Sequence, residues 1–177
     1  MYKLVKYNIK LIFSYNALAA AVYVCLSPLF FDFRNMDFLT LAKMGELYLS
    51  LSGIILFVSL GNFEVSKYTW EFVYIQPISY MKICLGRLLA IMTFNAFLIL
   101  IPLSYVYLNS DFLKFFEGYC GIVVTAWFLG LLGLLISEMF HDYKIAYIVT
   151  LAYYFIETAT KELFGKFFKC LVTYTVI

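Results

Sequence analysis

Long apolar stretches, broken only by short polar clusters, set the pattern of this chain. A helix needs about 20 mainly apolar residues to cross the hydrocarbon of a bilayer. The stretches at about 11–31, 44–63, 84–108, 118–137 and 145–160 are therefore read as spans. The second takes in Gly45 and Glu46 at its start. The last reaches full length only by including Glu157 and the threonines after it. In "KELFGKFFKCLVTYTVI", Leu163, Phe164, Phe167, Phe168 and Leu171 recur at helical spacing with Lys161, Lys166 and Lys169 among them. That pattern predicts an extracellular helix lying on the membrane surface at about 161–170. The apolar run 170–177 reads as the start of a further, incomplete span. The expected fold is an all-α integral membrane protein, one transmembrane domain over 1–177 with five spans, a surface helix and the start of a sixth span.

Charge orients this pattern. Basic residues in short loops favour the cytoplasmic side. Lys3, Lys6 and Lys10 precede the first span, and Lys67, Lys82 and Arg87 follow the second. The opposite loops hold Arg34, Lys43 and Lys114. The N-terminus and the 64–87 and 137–144 loops are thus expected inside, with Lys161, Lys166 and Lys169 running against the rule. After the first apolar run, "SPLFFDFRN" lacks a small-x-small cleavage site, so no cleavable leader is expected.

Composition agrees with the pattern. The chain is 64% hydrophobic and 14% charged, where a soluble domain is nearer half apolar and a quarter charged. A chain this apolar cannot cover its surface with polar groups in water, so lipid is its natural solvent. A net charge of +2 is too small to suggest nucleic acid as a partner. The many Tyr, Phe, Ile and Lys residues suit an AT-rich bacterial genome. Cys25, Cys84, Cys120 and Cys170 are far apart and form no CxxC or Cys/His spacing, so they read as small apolar helix residues.

Catalytic chemistry finds little footing. Glu138, His141 and Asp142 in "SEMFHDYK" look like part of a metal cluster, but further ligands are missing nearby and a solvated turn is the preferred reading. No serine elbow, HExxH or phosphate loop is present. No catalytic residue, metal or cofactor is assigned to this chain, and any ATP it uses must bind elsewhere. Glu46 and Glu157 are candidates because burying a carboxylate in lipid costs at least a few kcal/mol. A place at the headgroup level suits both equally. Asn95 lies deeper, where its amide must find a partner, as interhelical glue or in a cavity wall. Small residues repeat at four-residue spacing: Ala17, Ala21 and Cys25; Gly53, Phe57 and Gly61; Ala126 with Gly130; Gly133 with Ser137. Such stripes let helix backbones approach closely, mostly within one subunit.

The longest polar interruption is 62–87, "NFEVSKYTWEFVYIQPISYMKICLGR". Tyr68, Trp70, Phe72, Val73, Tyr74 and Ile75 interleave with Glu64, Lys67, Thr69 and Glu71. Pro77 forbids smooth continuation of a helix. A short cytoplasmic helix at about 64–76 is expected, then a break, then entry into the third span. On chemistry alone, such a helix suits the headgroup layer or a groove on a partner protein.

The order Glu64, Thr69, Glu71, Pro77, Ser79, Gly86, Arg87 resembles the hallmark segment of ATP-binding cassette (ABC) permeases of the type-2 exporter class. The junction "GLLISEMFHDYKIAYIVTL" and the surface helix after the fifth span are also similar to that class. The likeness covers most of the chain in topology but only 63–90 in motif. The class has six spans, against five and a stub here. The resemblance implies a six-helix exporter transmembrane domain in the plasma membrane, a permease that does not itself hydrolyse ATP. The 64–76 helix would be its coupling helix, with Glu64, Lys67, Tyr68, Trp70, Glu71, Phe72, Tyr74 and Pro77 against a separate ABC ATPase subunit that binds ATP and Mg. Gly86 and Arg87 would enter the third span. A second permease chain, identical or related, would complete a path for a peptide, drug or other amphipathic molecule, for efflux or antibiotic immunity. Two rivals stand beside it. One is the substrate-binding membrane subunit of a vitamin or metal importer, which needs no aromatic cytoplasmic loop. The other is a membrane enzyme, which the scattered carboxylates and single histidine disfavour.

Overall fold

Seven helices and one wider turn account for the regular structure of the described residues. These are 15–31, 33, 37–65, 80–109 and 115–174 of a computed structural model, and no strand occurs among them. The order is α1 (Tyr15–Cys25), α2 (Ser27–Phe30), α3 (Phe38–Met44), a π-helical turn (Gly45–Leu49), α4 (Leu51–Val65), α5 (Tyr80–Asn109), α6 (Phe115–Phe140) and α7 (Tyr143–Tyr174). Among the described residues three stretches are long and apolar enough to cross a membrane: Phe38–Leu60, Cys84–Leu108 and Phe115–Phe140. Tyr15–Phe30 is apolar but shorter.

Local chemistry explains where these helices begin and end. In the first apolar stretch Pro28 sits in the opening turn of α2, where its missing N–H does no harm, and the described part divides at Leu26 into two helices. The second stretch starts earlier than the pattern suggests, at Phe38 rather than about 44. Lys43 is the reason for the difference. It read as a loop charge but is exposed on the outer side of α3, where a cation is tolerated. Helix α5 covers 84–108, starts at Tyr80 and runs unbroken through Pro102.

Between α6 and α7, His141 takes a left-handed conformation with φ 53° that stops α6. Asp142 then accepts a hydrogen bond at Oδ1 from the Lys144 N–H, 2.8 Å away, and caps α7. The pattern suggests a boundary near 160, between a span and a surface helix. The structure has none: α7 passes through as one helix to Tyr174. Thr158 and Thr160 donate to the carbonyls of Tyr154 and Ile156 at 2.6 and 2.9 Å, so their hydroxyls follow the helix instead of breaking it.

The rod formed by α3, the π turn and α4 stands at the centre. The most apolar 18 residues within Phe38–Leu60 are 61% buried, against 22% for those within Cys84–Leu108. Leu41, Met44 and Leu49 pack with Ile99, Leu103, Ile122 and Val123. Leu56, Phe57 and Leu60 meet Ala17, Ala20, Ile91 and Leu98. Ile54 and Val58 meet Leu129, Ala146 and Tyr154. Every packed cluster thus contains part of this rod.

Lipid offers no hydrophobic reason for one helix to leave it for another, so close packing has to supply the attraction. The small-residue positions do so inside the chain. A Cβ on Gly53 would fall on the Ala126 carbonyl oxygen of α6. One on Gly130 would stand 2.6 Å from Phe57 Cδ2 and 3.1 Å from the Gly53 carbonyl oxygen. One on Gly133 would meet Val58 and, at 3.1 Å, Thr150 Oγ1. By contrast, a Cβ on exposed Gly121 meets nothing within 4 Å.

Gly53→Val is therefore expected to destabilise the fold by about 1–3 kcal/mol or more, the usual cost of overpacking. Gly121→Ala should be neutral or gain up to about 1 kcal/mol from helix propensity. Thermal unfolding of the two variants in detergent checks the contrast. In the same assay, loss of the helix cap in Asp142→Ala should cost about 1 kcal/mol.

Candidate functional site

Glu46 and Glu157, 111 positions apart in sequence, line one cleft of about 50 Å³ with Ser50, Thr125, Phe128, Leu129, Tyr154 and Thr158. That volume holds a few water-sized groups. The cleft joins the π turn to α6 and α7. Glu46 and Ser50 come from the rod, Thr125, Phe128 and Leu129 from α6, and Tyr154, Glu157 and Thr158 from α7. Each contribution follows helical spacing: Glu46 and Ser50 are four apart, and Tyr154, Glu157 and Thr158 fall at i, i+3 and i+4 on one face. Two carboxylates among hydroxyls and apolar walls make a lining suited to a small cationic or hydrogen-bonding group.

The π turn directs this arrangement. Its wide register is seen in the Ser50 N–H, which donates to the Gly45 carbonyl at 2.9 Å, five residues back. Three successive carbonyls in the turn accept hydroxyl donors. Ser50 Oγ donates to the Glu46 carbonyl at 2.6 Å, Tyr154 to that of Leu47 at 2.8 Å, and Tyr23 to that of Tyr48 at 3.1 Å. Tyr48 returns a bond to the Tyr23 carbonyl at 2.6 Å, and the two rings stack with centroids 4.3 Å apart.

Asn95 does not join this cleft. It is fully buried on α5, with Oδ1 2.9 Å from Ser52 Oγ of α4. Ser52 Oγ is also 2.6 Å from the Leu49 carbonyl, and its single proton serves one acceptor at a time. Asn95 Nδ2 has no partner in this orientation. Turning the amide by half a turn lets Nδ2 donate to Ser52 Oγ while Ser52 donates to Leu49, so a connected pair is available. Asn95 is interhelical glue between α4 and α5. Tyr119 and Trp127 of α6 do similar work, donating to the Ala96 and Met92 carbonyls of α5 at 3.1 and 3.2 Å.

Of the expected coupling residues, Lys67, Tyr68, Trp70, Glu71, Phe72, Tyr74 and Pro77 lie outside the described residues. Glu64 lies in the last turn of α4, and only its backbone is described. Gly86 is exposed on α5, with open space at its Cβ position. Arg87 is buried at 9% exposure, against its own chain and not outward. Among the described residues no group of three His, Cys, Asp or Glu side chains is placed to hold a metal ion. Asp142 in the "SEMFHDYK" turn serves as a helix cap.

Sequence reasoning found the two carboxylates but not their companions. Ser50, Thr125, Tyr154 and Thr158 read as ordinary helix residues, although the Glu46/Ser50 and Tyr154/Thr158 spacings were a usable signal. A double-mutant cycle of Ser52→Ala and Asn95→Ala should give a coupling of about 0.6 kcal/mol, the average interhelical hydrogen bond within membranes. Unfolding of the four chains in detergent measures it.

Comparison with protein families, with curated proteins and with solved structures finds no match for this chain.

Proposed function

We propose that the chain is the transmembrane permease subunit of an ATP-driven exporter, coupled through its 64–76 segment to a separate ATPase subunit. The observation that carries the reading is where that segment falls. Helix α4 ends at Val65 and α5 begins at Tyr80, each continuous with a stretch apolar enough to cross a membrane. The aromatic and charged residues of 66–77 therefore fall in sequence between two such helices, and with Glu64 their order resembles the ABC permease segment. In this reading the chain sits in the plasma membrane with its N-terminus inside, and a second permease chain completes the path. The cleft with Glu46 and Glu157 supports a cargo, such as a peptide or drug, that combines apolar surface with a cationic group. The importer-subunit rival needs small-residue faces free for a scaffold protein. Gly53, Gly130 and Gly133 are instead used within the chain.

The full chain, isolated from its native membrane in mild detergent, should bring with it an ATPase identifiable by mass spectrometry and by ATP hydrolysis. Trp70→Ala with Glu71→Ala should reduce that recovery about ten-fold, the effect of losing a modest hot spot, while membrane insertion is kept. Undiminished recovery in the double variant sinks the coupling role. With the ATPase present, Glu46→Gln with Glu157→Gln should slow ATP-dependent accumulation of a cationic amphipathic dye in inverted vesicles. ATPase recovery should stay unchanged in that variant.

A further inference from the structure

The geometry points to the π turn Gly45–Leu49 as a two-position joint that seats α3 on α6 in one position and releases it in the other, moving Glu46 with respect to Glu157. This inference rests on the packing around the turn and holds independently of the transport reading. In an α-helix the residue one turn before Ser50 is Glu46; in the observed wide turn it is Gly45. Straightening the turn with α4 fixed therefore draws Glu46 toward the place that Gly45 now occupies.

That place has no room for a side chain. A Cβ on Gly45 would fall on Ile122 Cγ1 and stand 2.6 Å from Ile122 Cδ1. A straight turn and a seated α3 thus exclude each other. In the seated position the turn is wide, Gly45 lies against Ile122, Leu41 and Met44 are buried beside Ile122 and Val123, and Glu46 lines the cleft. In the other position the turn is α-helical and α3 has lifted from α6. Its residues have rotated by about 100°, the angle of one helical residue, which carries Glu46 away from the cleft.

The hydroxyls around the turn decide between the two positions. Tyr154 and Tyr23 donate to the carbonyls of Leu47 and Tyr48 and hold the wide register, whereas the Ser50 hydroxyl bond to the Glu46 carbonyl, four residues back, suits either register. The Tyr154 bond matters most for coupling. Tyr154 and Glu157 share α7 and line the same cleft, so a group entering there meets the side chain that holds the joint. Such a two-state element, packed one way or the other, is what converts a local contact into a larger motion.

The test uses the full chain in detergent with its four cysteines replaced by serine. Spin labels go on Lys43→Cys of α3, which is exposed, and Gly121→Cys of α6, which has open space. Dipolar spectroscopy should show one short main distance in this background. Gly45→Ala should make a longer distance dominant, and adding Ile122→Ala should restore the short one. Tyr154→Phe should raise the longer population about three-fold, the factor carried by an average interhelical hydrogen bond in a membrane. One unchanged distance in both Gly45→Ala and Tyr154→Phe overturns the joint, as does failure of Ile122→Ala to restore the short distance. If Gly45→Ala does not fold, Tyr154→Phe decides alone: a larger long-distance population supports the joint, and an unchanged distribution overturns it.

Discussion

The contact of Gly53 with the Ala126 carbonyl is the constraint on which the rest of the bundle depends. It brings two helix backbones together with no side chain between them. In lipid, that proximity is what makes helix association favourable, because apolar side chains gain nothing from leaving one oily surface for another. Once α4 and α6 are in contact, Gly130 must receive Phe57 and Gly133 must receive Val58, so one touching point fixes the register of the whole interface. The remaining helices pack around a rod whose position is already set.

The polar chemistry shares this logic. Tyr147 donates to the Ile55 carbonyl at 3.2 Å, as Tyr154 does to Leu47 and Tyr48 to Tyr23. Aromatic hydroxyls on neighbouring helices find backbone carbonyls with a free lone pair, which costs the helix none of its own bonds. The π turn offers especially accessible carbonyls and attracts a cluster of such donors. A single irregular turn thus gathers polar groups that would otherwise be spread along separate helices, and the carboxylate of Glu46 comes with them.

Much of the architecture was legible in the sequence because apolar length is a physical requirement for crossing lipid. The helices around 84–108 and 118–137 stand out on that ground. The errors have equally physical causes. Lys43 hid the first turns of the central rod, since a charge in a linear pattern does not say which way it points. Lys161, Lys166 and Lys169 obscured the continuity of α7, since charges among apolar residues at helical spacing look in sequence like the start of a separate surface helix. Glu46 and Glu157 were visible singly as misplaced charges. Their meeting was not visible, because it depends on a wide turn, and no residue pattern in 45–49 announces one. Asn95 was legible as glue, but its partner Ser52 was not, since a serine within a helix has many bonds open to it.

The unbroken length of α7 has a mechanical consequence. Its 32 residues extend about 48 Å at 1.5 Å per residue, while the hydrocarbon layer is about 30 Å thick. Even at a steep tilt of about 40°, a crossing helix needs only about 26 residues for that layer. The length of α7 exceeds that requirement by about a turn and a half. A displacement at the C-terminal half of α7 therefore reaches Tyr154 and Glu157 through continuous helix, with no break between them and the wall of the cleft to absorb it.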